Sequence, residues 1–395
     1  MPVSTGSMMV IGGKMMQPLE NIRVLDLSRV YAAPAGSMML ADLGAEVIRV
    51  EHPNGSDSMR DWGPFLNDQS TYYLCANRNK KSITLDLKTN EGREKFKELV
   101  KDADIILENF KTGDMTRMGL SYEELKKVNP RIIHCAVTGF GQTGPLAYEP
   151  GFDPVIQAMS GLMHVTGSTE GEATRVGVPI ADILTSQYVV IGILAALRMR
   201  DQTNEGQFID LALLDVQMSS LANVASAFLN TGFASERLGN RHNNVAPYQV
   251  FNCADGPLMI CVGTDGQFQK FCLMMEHEEW AKDARFMTNT MRKQNEAELV
   301  KMITNMTMTK TRDEWIVLLQ QYKIPGGRVN TVAEALEQPQ FMARDMIGEI
   351  EHEQYGKMKF VKNPLKFSSL NIQYKLAPPT LGEHTNEFQK SSLPK

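Results

Sequence analysis

The strongest constraint on this chain is a rhythm. From residue 22 to about residue 140, short apolar runs alternate with segments of helical character. Residues 22–27 are an apolar run. A small-residue turn at 32–36 follows, then a helix over 38–43 stopped by Gly44, then a strand over 45–51. A strand, a helix and a strand within thirty residues require a crossover, which sets the two strands parallel in one sheet. The pattern then repeats. A strand over 82–87 precedes a helix over 90–101, with Thr89 or Asn90 as N-cap and Glu91 in its first turn. A strand over 103–107 precedes a helix opened by a Ser121/Glu124 capping box and stopped at Asn129-Pro130. A strand over 131–138 ends in the loop Gly139-Phe140-Gly141-Gln142-Thr143-Gly144. The implied fold class is α/β: a parallel-sheet, Rossmann-like large domain with a smaller α+β domain inserted.

The second half supplies that smaller domain. Helices are predicted over 154–163 and 186–199, the latter apolar nearly all round and so buried on most sides. A strand over 208–213 and one long helix over 215–228 follow. At 246–264 the pattern becomes a hairpin around Ala254-Asp255-Gly256-Pro257. Helices over 267–275 and 295–307, a Pro/Gly-rich turn at 323–329, and late strands at 357–361 and Phe367 complete the chain. The expected division is a large domain from 17–213 and 326–395, a small domain over 239–300, linkers at 214–238 and 301–325, and a flexible tail over 1–16. A chain of 395 residues exceeds one ordinary core, which agrees with two domains.

Composition excludes several functions. There are 41 Lys+Arg against 46 Asp+Glu, a net charge of -5, and no basic run longer than two. A nucleic-acid binder would show a basic stripe. No apolar run reaches the length that spans a bilayer, so no membrane is expected. The apolar patch at 8–11 is too short for a signal sequence. Five cysteines make no CxxC and no Cys/His ladder, so the expectation is reduced, buried thiols in a cytoplasmic protein and no metal site. The 25 methionines read mostly as core filling. The first strand–helix turn lacks GxGxxG, which disfavours a nicotinamide enzyme, although open α/β sheets still bind ligands at strand C-termini.

Asp182 stands out, between an apolar run and a very apolar helix. It reads either as the N-cap of that helix or as a nucleophilic carboxylate in a buried crevice. The glycine-rich loop at 139–144 reads as a surface turn or as backbone that approaches a ligand. Arg78, Lys80 and Lys81 read as a solvated basic group unless a polyanion is bound.

Taken together, several pieces resemble the class III CoA-transferases of the CaiB/BaiF family, the group of formyl-CoA transferase. They are the runs at 24–27, 43–51, 79–82, 108–110, 117–119, 129–131, 139–144, 151–153, 192–197 and 381–385, within a stretch from about Pro18 to Phe388. The runs at 160–167 and 245–251 are similar in wording to members acting on dicarboxylic acids, such as succinate–hydroxymethylglutarate CoA-transferase.

The resemblance implies CoA transfer from an acyl-CoA donor to a carboxylic, dicarboxylic in particular, acid. It places the family's nucleophile on Asp182, which would form an aspartyl anhydride and then an aspartyl-CoA thioester. It implies CoA contacts at Val30, Tyr31, His52, Lys81, Asn109, Phe110, Arg117 and Met118, with Gly139 and Gly141 as backbone donors to developing oxyanions. The coenzyme A thioester is the substrate, no cofactor is permanently bound, and an interlocked homodimer is expected. Arg241 is a candidate for a substrate carboxylate. The related racemases use a histidine thirty residues ahead of the aspartate. Here that position is Phe152, which carries no proton. Racemisation is therefore disfavoured, as is a non-catalytic CoA-binding role.

Overall fold

The computed structural model describes residues 10–11, 14–55 and 57–391. Residues 1–9, most of the expected tail, lie outside them. The chain forms two compact units. One takes Met1–Leu162, Arg175–Ala234 and Asp345–Lys395; the other takes Met163–Thr174 and Ser235–Arg344.

The first unit is built from β1 (Arg23–Asp26), α1 (Ala32–Asp42), β2 (Glu46–Glu51), β3 (Lys80–Thr84), α2 (Asn90–Lys101), β4 (Ile105–Glu108), α3 (Tyr122–Val128), β5 (Ile133–Thr138), α4 (Asp153–Met159), α5 (Ile180–Thr203), β6 (Phe208–Ala212), α6 (Leu213–Ser220) and α7 (Ala222–Thr231). The six strands make one sheet in the order β6-β5-β4-β1-β2-β3, and every pairing is parallel. Alternate residues serve opposite faces. Val24, Val47, Ile105, Ile133 and Val137 pack with Leu40 of α1 and Val189 and Ile193 of α5. Leu25, Ile48, Ile83 and Ile106 pack with Phe96 and Val100 of α2 and Leu125 of α3. Burial on both faces is why these strands read as nearly unbroken apolar runs.

Several expectations need correction. The small-residue turn at 32–36 is the first half of α1. A Cβ on Gly36 would stand 2.8 Å from Val189 Cγ1, so small residues here let α1 press against α5. Helix α5 begins at Ile180, six residues earlier than its pattern indicated, and is long and apolar enough to cross a membrane by length and composition. The expectation that no segment is so does not hold. Here the helix packs one face into the core, through Ala181, Val189, Ile193 and Ala196. The single helix over 215–228 is two helices. Ser220 Oγ donates back to the Gln217 carbonyl at 2.7 Å, and Ala222 takes a φ of 41°. At Ser121 only half the capping box forms, with Ser121 Oγ accepting from Glu124 N–H.

The second unit holds β7 (Tyr248–Cys253), β8 (Gly256–Cys261), α8 (Asp265–Met274), α9 (Glu296–Thr307), α10 (Arg312–Tyr322) and β9 (Gly326–Arg328). The hairpin is as read. The Pro/Gly-rich stretch supplies β9, a third antiparallel strand. A Cβ on Gly326 would meet Leu319 Cδ1 at 2.7 Å and the Met259 carbonyl at 2.8 Å, so glycine lets this strand close in. Phe251, Phe268, Phe271, Trp280 and Trp315 fill the core. The stretches read as linkers are largely helical: α6 and α7 in one, the end of α9 and α10 in the other.

After the second unit the chain supplies β10 (Ile347–His352) and β11 (Gly356–Val361), a separate antiparallel pair. These late strands therefore have a sheet of their own. Phe367 lies in irregular chain, not in a strand. The five cysteines are free; Cys135, Cys253 and Cys272 are buried, but Cys75 is exposed and Cys261 only partly covered.

Candidate active site

The strand order reverses between β1 and β4, so the chain leaves these neighbours in opposite directions. That opens a crevice at their C-terminal ends, where open α/β sheets take ligands. Asn109, just after β4, ties the two loops together. Its Oδ1 accepts from the Arg29 N–H at 2.9 Å, and its Nδ2 donates to the Arg29 carbonyl at 2.7 Å. A cavity of about 370 Å³ opens here, lined among others by Val30, Tyr31, Phe110, Gly139, Phe152 and Asp182.

Asp182 sits in the first turn of α5 and is not its N-cap, which is Pro179 and makes no side-chain cap bond. Asp153 does that work from α4. Its Oδ1 accepts from the Ala181 N–H at 2.8 Å and the Asp182 N–H at 3.4 Å, while Oδ2 accepts from Gln157 Nε2 at 2.7 Å. The Asp182 carboxylate is thereby left over. Among the described residues none donates a hydrogen bond to it, and burial, with a smaller contribution from the Asp153 charge, pushes its carboxyl up to about 7. A half-buried, uncommitted carboxylate is a better nucleophile than one tied into a cap. Tyr31 borders it as a phenol pushed up to about 12, chiefly by burial, so it stays a hydrogen-bond donor.

A second cavity, of about 290 Å³, continues from the first. Arg29, Phe110 and Asp114 line both. Beyond them stand His52, Lys88, Arg117 and Met118. Arg117 pairs with Asp114 one turn away, and His52 Nε2 is 3.6 Å from Asp86 Oδ1. The structure thus brings Val30, Tyr31, Asn109, Phe110 and Gly139 beside Asp182, and His52, Arg117 and Met118 to the far end of one cleft.

Other expected residues are elsewhere. Lys81 lies at the start of β3, the opposite end of the sheet, 3.3 Å from Glu46 Oε1, and lines a different cavity with Gln17 and Lys375. Gly141 lines neither part of the cleft; its N–H donates to Thr138 Oγ1 at 2.9 Å. Gly139 serves close packing, since a Cβ there would stand 2.5 Å from Gly151 Cα. Arg78 and Lys80 are not solvated: they are buried on Asp42 and Asp26. Arg241, in the second unit, pairs with Glu296 at 3.7 Å. Arg29, Lys88 and Lys111 are the cations that the residue patterns did not single out. Phe152 lines the Asp182 cavity and is 63% exposed, so position 152 brings no proton-carrying side chain to the cavity. Among the described residues, no three His, Cys, Asp or Glu side chains group as metal ligands.

Comparison with known proteins finds relatives along nearly the whole chain. The model of CoA-transferase family III matches residues 19–385. A succinate–glutarate CoA-transferase of Agrobacterium fabrum is 41% identical over 93% of this chain and 94% of its own length. A succinyl-CoA:glutarate CoA-transferase of Mus musculus is 39% identical over 96% and 87%. The crystal structure of a CaiB/BaiF family protein from Brucella suis superposes with a TM-score of 0.85 at 41% identity, covering 95% of this chain and 99% of that one. With a parallel α/β sheet, a cleft at its switch point and these matches along nearly its whole length, the chain belongs to CoA-transferase family III.

Proposed function

We propose that the protein moves CoA from succinyl-CoA or a similar acyl-CoA to a second dicarboxylic acid of about glutarate length, through covalent intermediates on Asp182. The reading rests on one observation above all: the Asp182 carboxylate faces the cleft with no hydrogen bond committed to it among the described residues. The acids are taken from the names of the similar enzymes.

The steps balance without any added cofactor. An Asp182 oxygen attacks the thioester carbonyl, the C–S bond breaks, and CoA leaves as thiolate from a mixed anhydride. The thiolate attacks the aspartyl carbonyl, freeing the donor acid and leaving an aspartyl-CoA thioester. The acceptor carboxylate attacks that carbonyl and expels the thiolate, giving a second anhydride. The thiolate then takes the acceptor acyl group and Asp182 is restored. Splitting one exchange into such steps is covalent catalysis. Tyr31, which lines the same cavity as Asp182, donates in this reading to the oxyanion formed there. Arg29, Lys88 and Arg117 supply positive charge for the phosphates along the rest of the cleft.

A homodimer belongs to the same proposal. Ile191 on α5, Phe228 and Leu229 on α7, and Phe233 are 58–81% exposed, and a second copy of the chain would cover them. The test of function is Asp182→Ala. Transfer should fall about 1,000-fold or more, while CoA affinity stays within about threefold. Transfer at the wild-type rate would remove Asp182 from the mechanism.

A further inference from the structure

Residues 29–31, between β1 and α1, border the cleft, with Arg29 in both of its parts, and three successive amides at 28–30 are gripped by different side chains. Ser28 N–H donates to Asp26 Oδ1 at 3.0 Å, Arg29 N–H to Asn109 Oδ1 at 2.9 Å, and Val30 N–H to Asp57 Oδ1 at 3.0 Å. Val30 has a φ of 62°. A β-branched residue avoids this left-handed region, so its surroundings must impose it. The effect shows on both sides of Val30. The Arg29 guanidinium lies 5.2 Å from the Phe110 ring centroid and lines both cavities. Tyr31 lines the cavity of Asp182.

Asp57 itself lines neither part of the cleft and is 3% exposed. Its two oxygens have separate tasks. Oδ2 pairs with Arg49, a fully buried cation that also bonds Asn77 Oδ1 at 3.1 Å and lies 3.5 Å from Glu51. Oδ1 accepts from Val30 and, at 3.1 Å, from the Met59 N–H. We propose that Asp57 is a positioning residue for CoA transfer: through Oδ1 it holds Val30 in the left-handed turn that aims Arg29 along the cleft and Tyr31 at Asp182. The inference rests on the reading that acyl-CoA lies in this cleft with its thioester at Asp182.

The test is a double-mutant cycle between Asp57→Ala and Val30→Gly, read as kcat/KM for the acyl-CoA donor and as CoA affinity. Glycine adopts positive φ without strain, so it needs Asp57 less than valine does. Asp57→Ala should cut kcat/KM about tenfold or more with Val30 present, and by a factor at least about threefold smaller with Val30→Gly. If Asp57 only neutralises Arg49, the loss is the same in both backgrounds and the inference falls. It falls also if folded Asp57→Ala keeps wild-type kcat/KM. Should Asp57→Ala fail to fold, Asp57→Asn separates the two tasks, since it keeps an Oδ1 acceptor for the Val30 N–H and removes the charge beside Arg49: kcat/KM within about threefold of wild type supports the inference, and a larger loss overturns it. The reading of Asp182 fails on a separate result, transfer by Asp182→Asn at the wild-type rate, which leaves the outcome of the cycle untouched.

Discussion

At the scale of the residue, Asp182 and Asp153 divide the work that one carboxylate does at most helix starts. Asp153 satisfies the amides of α5, so Asp182 is free to react but costly to ionise. That cost makes two predictions. First, only the ionised form attacks, so kcat/KM for the acyl-CoA donor should rise with pH and level off above about 7, as a steady-state pH profile would record. Asp153→Asn should lower that midpoint by a minor fraction of the shift, because burial is the larger cause. Second, the raised carboxyl links stability to pH. Its contribution is intact below the unfolded value near 3.8, is lost progressively as pH rises to about 7, and stays lost above it. Asp182→Asn should therefore be more stable than wild type at pH 8 by on the order of 2 kcal/mol, after discounting for partial exposure. The gain should shrink toward pH 4 in urea titrations.

At the scale of the element, α1 and α5 set the geometry of the cleft. Their close approach depends on Gly36, and Gly36→Ala would force a Cβ to within 2.8 Å of Val189. The expected cost is about 1–3 kcal/mol from overpacking, visible as a lower urea midpoint with an unchanged slope. This pair also explains which elements were legible. β1, β2, β4 and β5 are buried on both faces and mostly apolar, so their signal is local and strong. The Ala32–Gly36 stretch of α1 carries turn residues whose helical role makes sense only against α5, some 150 residues later in the chain. β9 was hidden for the same reason: its Gly326 is there to fit against α10 and β8.

At the scale of the whole molecule, the alternation of strands and helices made the α/β class and the parallel sheet readable, and family resemblance carried the reading to Asp182. What stayed hidden was which end of the sheet each basic residue occupies. Lys81 and Arg29 are equally basic, but Lys81 starts a strand and Arg29 follows one, so only Arg29 reaches the cleft. The capping role assigned to Asp182 belongs to Asp153, twenty-nine positions earlier, and no local pattern ties the two together. The exposed apolar residues of α5 and α7 predict a dimer in sedimentation at micromolar concentration, converted to monomer by Ile191→Glu with Leu229→Glu. A monomeric wild-type protein would contradict this.

The central claim is that Asp182 carries the CoA between donor and acceptor. The most direct measurement is mass spectrometry of protein held with acyl-CoA and no acceptor, with hydroxylamine added to trap activated carboxyls. The expected result is hydroxamate on the peptide containing Asp182 in the wild type and none on that peptide in Asp182→Asn. An unmodified Asp182 peptide in protein that transfers CoA once acceptor is supplied, or hydroxamate on another carboxylate, would contradict the account.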